Sequence, residues 1–214
     1  MRGRLSIFSE FLCVKANSKK GEMRKVSISR ETTETKVEVV LNIDGVGESE
    51  VSTPLRFFNH MLETFARHGF FDIRLTAEGD LSHHIVEDVG IALGSAFRKA
   101  LGTASERAKL VRFGHAIVPM DDAIAMCAVD IGGISERSFT VLRVNFSHRI
   151  IEDTATEDIL HFLRSFASEA KFTMHIHAGG ENEHHIAEAI FKALGIALDH
   201  ATKIEERRIA RKEV

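Results

Sequence analysis

Alternating hydrophobic and polar residues predict two similar strands, one in each half of the chain. Apolar residues occupy every second position over residues 71–77, and the same alternation runs over residues 172–178. A period of two residues is typical of a strand with one buried face. Gly79 follows the first of these strands, and Gly179 and Gly180 close the second, so each strand is expected to end at a turn.

After each of these strands, apolar residues recur every three or four positions. This spacing is typical of a helix with one buried face. The two apolar stripes are Val86, Val89, Leu93, Phe97 and Ala100, and then Ala187, Ile190, Leu194, Leu198 and Ala201. A helix is also expected before each strand. One would begin at Pro54 with Thr53 as its N-cap, and the other at Thr154, where Glu157 completes a capping-box pattern.

Three further segments have strand patterns. Residues 37–43 alternate and run into Asp44–Gly45, a dipeptide favoured in hairpins. Residues 123–129 and 138–146 form a comparable strand pair around Gly132 and Gly133. Each half therefore predicts the order β-β-α-β-α. We expect an α+β fold with an internal duplication, in which two four-stranded sheets each carry helices on one face.

The two halves match each other at an offset of 101 residues. Between residues 60 and 100, 16 of 41 positions carry the same residue as the position 101 further on, far more than random pairing gives. The matches include His60 with His161, His83 and His84 with His184 and His185, and Glu87 with Glu188. We expect repeat halves at 23–112 and 113–204, a mobile N-terminal extension at 1–22 and a charged C-terminal tail at 205–214.

Composition limits the class of protein. Of the 214 residues 44% are hydrophobic and 28% are charged, as in ordinary globular proteins. No apolar run approaches the ~18–20 residues that cross a membrane. A net charge of −3 gives no electrostatic reason to expect nucleic acid. Cys13 and Cys127 are too few for a disulfide scaffold, which favours a cytoplasmic location.

The chain contains 12 histidines, and histidine is the commonest metal ligand in proteins, so a metal site is a candidate function. His83 and Glu87 are four residues apart, so a helix lets both reach one ion, whereas His84 points about 100° away. The adjacent histidines therefore indicate two ions, or one ion and a bridge. A single histidine beside an apolar stripe is more often packed or at the surface, but duplication at one offset disfavours that role here. Imidazole and carboxylate ligands without thiolate fit Mn, Fe, Co or catalytic Zn.

The order and spacing of these motifs resemble the imidazoleglycerol-phosphate dehydratase family over residues 23–202. The motifs that carry the resemblance are Arg30 with Glu34-Thr35; Phe57-Phe58-Asn59-His60-Met61-Leu62 with His68-Gly69; Gly79-Asp80; His83-His84-Ile85-Val86-Glu87-Asp88; Arg112-Phe113-Gly114; Pro119-Met120-Asp121; residues 180–185; and Glu188-Ala189 with Phe191-Lys192-Ala193.

The resemblance implies a cytoplasmic hydro-lyase of histidine biosynthesis that converts D-erythro-imidazole-glycerol phosphate to imidazole-acetol phosphate. It implies halves that are similar to ribosomal S5 domain 2, and two Mn²⁺ per active site, with other divalent transition metals as alternatives. It also implies a homo-oligomer of 24 subunits whose active sites lie between subunits. The partner is then a small-molecule phosphate substrate, with no nucleic acid and no membrane.

The resemblance also implies roles for individual residues. One ion would be held by His60, His84, His184 and Glu188, and the other by His83, Glu87, His161 and His185. Catalysis is expected to involve Glu34, His60, His84 and His184, with Glu34 as the acid/base carboxylate. The residues expected to bind the substrate are Glu34, His68, Arg112 and Lys192, the last two at its phosphate.

The chemistry that these residues imply is consistent with dehydration. If the metals bind both ring nitrogens of the substrate as an imidazolate, the ring can push electrons toward the leaving hydroxyl while a carboxylate moves the proton. Two alternatives stay open: a divergent two-metal relative acting on another imidazole or phosphate compound, and a non-catalytic metal-binding homologue. Ile134, where the family has an arginine, and the absent C-terminal Ser-Lys loop favour these alternatives.

Overall fold

The computed structural model describes residues 24–132 and 137–207. The expectations for residues 1–22, for Ile134 and for 208–214 of the predicted tail lie outside these ranges. The first half contains β1 (Lys25–Glu31), β2 (Thr35–Asn42), β3 (Ser49–Ser52), α1 (Arg56–Gly69), β4 (Asp72–Gly79), α2 (Ser82–Ala100) and α3 (Ala104–Arg107). The second half contains β5 (Phe113–Met120), β6 (Ala123–Asp130), β7 (Phe139–Val144), β8 (Ile150–Ile151), β9 (Thr154–Ala155), α4 (Thr156–Ala170), β10 (Thr173–Gly179) and α5 (Glu183–Thr202).

The strands form two four-stranded sheets of the same topology. Their orders are β1-β2-β4-β3 and β5-β6-β10-β7. In each sheet the last strand runs parallel to its neighbour, and the other pairs are antiparallel. The predicted α+β fold with an internal duplication is therefore confirmed, although each four-stranded sheet has one strand more than the order β-β-α-β-α, and the second half also contains the short strands β8 and β9. The division at residue 112 stays a prediction.

Two expected strand pairs are wrong. β6 and β7 do not pair with each other, because β10 lies between them and β5 is the hairpin partner of β6. Asp44–Gly45 does not close a hairpin either. The chain there crosses from β2 to β3, which is not its neighbour in the sheet. The crossing is held by Asp72, whose Oδ1 accepts the backbone N–H groups of residues 46–48 at 2.8–3.2 Å.

The predicted helix caps are also wrong. Helix α1 begins at Arg56, and its N-cap Leu55 makes no side-chain hydrogen bond. Instead Asp153, from the other half, accepts the N–H of Arg56 at 2.7 Å and that of Phe57 at 3.0 Å. Thr154 lies in β9, so it cannot cap α4, which begins two residues later. The local sequence pattern does not identify Asp153 as the acceptor, because Asp153 lies almost 100 residues away in the sequence.

The helices pack on one face of their own sheet and against helices of the other half. Helix α1 packs against α5, and α2 packs against α4. Glycine permits the close approach in both pairs. A Cβ on Gly94 would lie 2.6 Å from the carbonyl oxygen of Phe166, and one on Gly195 would lie 2.7 Å from that of Phe65. In the described ranges, no helix combines the length and the apolar character needed to span a bilayer.

Candidate metal centre

The contact between α1 and α5 brings together the first cluster, which consists of His60, His184 and Glu188. The Nε2 atom of His60 lies 2.9 Å from Glu188 Oε1, and Nε2 of His184 lies 3.3 Å from the same oxygen. All three ligand atoms lie within 4.8 Å of one another, which is close enough for a shared ion. His184 and Glu188 are one helical turn apart on α5, whereas His60 comes from the other half of the chain.

The contact between α2 and α4 forms the second cluster, which consists of His83, Glu87 and His161. Nε2 of His83 lies 4.0 Å from Glu87 Oε2, and Nε2 of His161 lies 3.3 Å from Glu87 Oε1. These ligand atoms also lie within 4.8 Å of one another. The offset of 101 residues maps the members of one cluster onto those of the other. Each cluster combines a histidine from one half with a His-x-x-x-Glu pair from the other half.

The residues of both clusters fit a divalent metal ion. Each cluster offers imidazole nitrogen and carboxylate oxygen, the donor atoms that Mn, Fe, Co and Zn accept. Nε2 of His161 is buried, and its 3.3 Å contact with Glu87 Oε1 does not have the geometry of a hydrogen bond, so within the described ranges no hydrogen bond satisfies this atom. A buried polar atom without a partner is costly in a protein interior, and a bound cation would remove that cost.

His84 and His185 are not part of either cluster within one chain. His84 Nδ1 lies 2.8 Å from Asp80 Oδ1 and 3.7 Å from Glu34 Oε2. These residues form a third group whose ligand atoms also lie within 4.8 Å of one another. On the other sheet, His185 Nδ1 lies 2.6 Å from Asp122 Oδ1. Both histidines therefore sit beside the turn of a hairpin, between β1 and β2 and between β5 and β6.

Aspartates orient three of the histidines. Asp80, Asp122 and Asp158 each lie within 2.8 Å of the Nδ1 atom of one histidine, His84, His185 and His83 respectively. An aspartate at Nδ1 fixes the ring orientation and directs Nε2 outward, as do the carboxylates that hydrogen-bond to metal-binding histidines in other proteins. The hydrogen bond with Asp80 raises the pKa of His84, and the one with Asp122 raises the pKa of His185.

These aspartates were not predicted from the sequence. The spacing of four residues between Asp80 and His84 could have indicated one of them, since it places both side chains on the same side of a helical turn. Asp122 gives no such local signal, because it reaches His185 only through the packing of a hairpin beside α5. Asp122 Oδ2 also accepts the backbone N–H groups of Glu181 and Asn182 at 2.7 Å, which fixes the start of α5.

Positive charge is concentrated beside the first cluster. Lys192 Nζ lies 2.7 Å from Glu188 Oε2. Burial opposes ionisation of Glu188, but hydrogen bonds from Lys192 and His60 lower its pKa to about 2. Burial also lowers the pKa of His68, and the charges of Lys192 and Arg67 lower it further. The positions that match Lys192 and His68 beside the second cluster hold Ile91 and Glu169.

Arg112 does not join this group within one chain. Its guanidinium is held by Asp130, with Nε and Nη2 at 2.7 and 2.8 Å from the two carboxylate oxygens. It lies just before β5, whereas Lys192 Nζ is 3.0 Å from Met120 Sδ at the far end of that strand. A strand of this length spans about 25 Å. The two cations expected at one phosphate are therefore far apart in a single chain.

An open pocket of about 380 Å³ lies beside the first cluster. Its lining comes from both halves: Arg56, Phe57, His60, Glu152, Asp153 and His184. The Phe57 ring lies 4.9 Å from the His184 ring and forms an apolar wall. This volume is in the range of small-molecule sites. The duplicated fold, the paired imidazole–carboxylate clusters and the pocket together define a class: an α+β enzyme with a small-molecule pocket beside residues that could hold a metal ion.

Comparison with known proteins specifies this class further. The sequence profile of imidazoleglycerol-phosphate dehydratase matches residues 53–198. The imidazoleglycerol-phosphate dehydratase of Methanococcus maripaludis strain C7 is 47% identical over 189 residues, covering 87% of this chain and 95% of that protein. The corresponding protein of Methanocaldococcus jannaschii is 47% identical over 191 residues, covering 88% and 93%.

Solved structures agree with these sequence matches. The crystal structure of the Pyrococcus furiosus dehydratase in complex with (S)-C348 has a TM-score of 0.73 at 40% identity, covering 87% of this chain and 99% of that one. The Staphylococcus aureus enzyme has a TM-score of 0.74 at 30% identity, covering 84% and 99%. The chain belongs to the imidazoleglycerol-phosphate dehydratase family and is an enzyme of that type, a hydro-lyase of histidine biosynthesis. This family is metal-dependent.

Proposed function

We propose that the chain removes water from D-erythro-imidazole-glycerol phosphate and forms imidazole-acetol phosphate. One observation carries the proposal. Two three-residue clusters of histidine and glutamate are matched across the halves, and the first of them lies beside a small-molecule pocket and a lysine. A cytoplasmic location accompanies the proposal, because two cysteines are too few for a disulfide scaffold.

The proposed cofactor is two Mn²⁺ per active site. The first cluster (His60, His184 and Glu188), completed by His84, would hold one ion. The second cluster (His83, Glu87 and His161), completed by His185, would hold the other. Imidazole and carboxylate donors support this choice but also suit other divalent transition metals. When bound, the ions would supply Lewis acidity toward the imidazole ring of the substrate.

The proposed active site lies between subunits of a homo-oligomer, with 24 subunits as in the family. Two features support this arrangement. His84 and His185 face hairpin turns rather than the clusters they are expected to complete. Arg112 lies at the opposite end of β5 from Lys192, although both are proposed to bind the phosphate. A neighbouring subunit could supply each of these residues to a site whose other residues belong to the first chain.

The proton-transfer group in this proposal is Glu34. Its side chain is 55% exposed in the turn between β1 and β2, and its Oε2 lies 3.7 Å from His84 Nδ1. A carboxylate here can take a proton from the substrate carbon and deliver one to the leaving hydroxyl. The chain also provides hydrogen-bonding groups for the substrate: His68 lies close to Lys192, and lysine and arginine are suited to bind phosphate.

The test is an assay of the purified chain with imidazole-glycerol phosphate and Mn²⁺, with and without a chelator. We expect imidazole-acetol phosphate to form with Mn²⁺ and not after chelation. A Glu34→Gln variant is expected to keep its metal and lose turnover. Wild-type chain that binds two ions without dehydrating this substrate would contradict the proposal and favour a divergent relative or a non-catalytic homologue.

A further inference from the structure

A buried carboxylate on α2 connects three elements of the first half. Asp88 is only 7% exposed. Its Oδ1 accepts a hydrogen bond from Arg30 Nε on β1 at 2.8 Å, and its Oδ2 accepts one from the hydroxyl of Thr35 at the start of β2. The reaction proposed above does not use Asp88 directly, although it follows Glu87 in the sequence.

These contacts extend to the turn that carries Glu34. Thr35 Oγ1 lies 3.1 Å from Thr32 Oγ1. Thr32 Oγ1 in turn accepts the backbone N–H of Glu34 at 3.2 Å and that of Thr35 at 3.0 Å. On the other side of the turn, the carbonyl oxygen of Glu34 accepts the N–H of Asp80 at 3.1 Å. Hydrogen bonds therefore fix the backbone of Glu34 on both sides, and one of these paths leads to Asp88.

The second half is an internal comparison for this network. Arg30 pairs with Val37 in the first sheet, and the matching pair in the second sheet is Val118 with Ala125. The same register places Ala123 where the first half has Thr35. The repeat offset places Ala189 where the first half has Asp88. The polar set Arg30, Thr35 and Asp88 is thus replaced by the apolar set Val118, Ala123 and Ala189.

The apolar set supports the same local fold. Ala123 is 3% exposed and Ala189 is fully buried. Val118 packs partly buried against the core. The ion pair joins the buried Asp88 to an Arg30 side chain that is 36% exposed. Such a pair is weak evidence for stability, because a partly exposed pair contributes little and well-packed apolar residues often replace a buried one without loss. Stability alone therefore does not explain why the first half uses charged and hydroxyl groups at these positions.

A functional difference between the two hairpins explains why the first half has charged and hydroxyl groups at these positions. The turn of the first hairpin carries Glu34, the proposed proton-transfer group. We propose that Arg30, Thr35 and Asp88 form a positioning network that fixes the Glu34 turn against α2, the helix that carries His83 and His84. The inference rests on the proposed function, since it assigns the network to the same site.

The test transfers the apolar set of the second half into the first. A variant with Arg30→Val, Thr35→Ala and Asp88→Ala is expected to fold, because the other half of the chain is built in this way. Amide hydrogen exchange at Glu34 and Thr35 should accelerate by about tenfold or more, while amides in the middle of β2 and α2 keep their protection. The kcat should fall by about 100-fold, with KM within about threefold of wild type, as expected for a misplaced catalytic group.

Single substitutions separate the hydrogen bond from packing. Thr35→Ser keeps the hydroxyl and should retain most of kcat, whereas Thr35→Val keeps the shape and should lose it. The matched control is a variant with Arg24→Val and Asp44→Ala. It removes an ion pair next to the other end of β1, in which Arg24 Nη2 lies 2.5 Å from Asp44 Oδ1. That variant should leave kcat and the exchange of the Glu34 amide unchanged.

Two results would overturn the inference. One is a grafted variant that keeps wild-type kcat, and the other is unchanged amide exchange in the turn. If the wild-type chain does not dehydrate imidazole-glycerol phosphate, the proposed function fails, and the exchange measurement still decides whether the network fixes the turn.

Discussion

Lys192 lies 2.7 Å from Glu188, one helical turn away on α5, whereas the matching turn of α2 carries Glu87 and Ile91. The two clusters are therefore alike in their candidate metal-ligating residues but differ in charge. Since the proposed substrate has a phosphate at one end only, we expect this difference to favour one direction of binding, with the phosphate toward Lys192.

The variant Lys192→Ile makes the two matching positions identical. We expect KM for imidazole-glycerol phosphate to rise by about tenfold or more, because a charge-assisted hydrogen bond is lost. Bound Mn²⁺ should stay the same, since Lys192 is not a ligand. Lys203→Ile, which removes a 2.9 Å ion pair with Asp199 near the end of α5, is the control and should leave KM unchanged. An unaltered KM in Lys192→Ile would contradict the assignment.

The proposed sharing of sites between subunits can be tested by mixing inactive variants. His60→Ala removes a ligand from the first cluster, and His84→Ala removes the ligand proposed to come from a neighbouring chain. Each variant alone should be inactive. After dissociation and joint reassembly the mixture should regain activity, because some sites combine an intact His60 with an intact His84. Persistent inactivity of a properly reassembled mixture would place both residues in one chain's site.

Much of the fold could be predicted from the sequence because each repeat contains a strand with one buried face, β4 in the first half and β10 in the second. Burial of one face gives the alternation of apolar and polar residues from which a strand is predicted. Two of the strands that were not predicted, β3 and β5, lack this signal. β3 has only four residues, too few for a period to be visible. β5 has apolar residues on both faces, since Phe113 and Ile117 are more than half exposed on its outer face. Alternation therefore disappears where the outer face of the sheet is also apolar.

The candidate site could be predicted only in part, for a similar reason. The spacing of four residues predicts that His83 and Glu87 face the same ion, and the structure places His83 Nε2 4.0 Å from Glu87 Oε2. His161 joins His83 and Glu87 only because helices from different halves pack together, and no local sequence pattern reveals that packing. The grouping of His161 with these two residues was implied by the family resemblance instead. The orienting role of Asp122 depends on the same kind of long-range packing.

The glycines between paired helices give a test of the packing. Gly94→Ala and Gly195→Ala each place a methyl group less than 3.0 Å from a backbone carbonyl of the facing helix. We expect each to lower the free energy of unfolding by about 1–3 kcal/mol, as overpacking does. Gly179→Ala is the control, because nothing lies within 4 Å of its added Cβ. Urea unfolding measures the free energy of unfolding of all three variants. Equal losses of stability in the three would contradict the close approach of the paired helices at Gly94 and Gly195.

Asp153 gives a test of the contact that caps α1 from the other half. Asp153→Ala should lower the free energy of unfolding by about 1 kcal/mol at pH 7, as loss of a cap does. Burial opposes ionisation of Asp153, but hydrogen bonds from Phe57 and Arg56 outweigh it and lower its pKa. Because the folded pKa is depressed, the stabilisation is present above the unfolded pKa of about 3.9 and is lost as pH falls through the folded value.

The difference in stability between wild type and Asp153→Ala should therefore shrink as the solution is made strongly acidic. Asp153→Asn, which keeps an oxygen acceptor without the charge, should lie between the two at pH 7. Chemical unfolding at several pH values measures this. A difference that stays constant down to the lowest pH would show that the carboxylate charge does not support the cap.

The proposed function requires each cluster to bind one divalent ion and both ions to take part in dehydration. A titration of the metal-free chain with Mn²⁺ that follows bound metal and turnover together tests this requirement. We predict no turnover without metal, full turnover at two ions per chain, and one bound ion with no turnover in Glu87→Ala or Glu188→Ala. Normal turnover by the metal-free chain, or by the variant with both substitutions, would contradict the requirement.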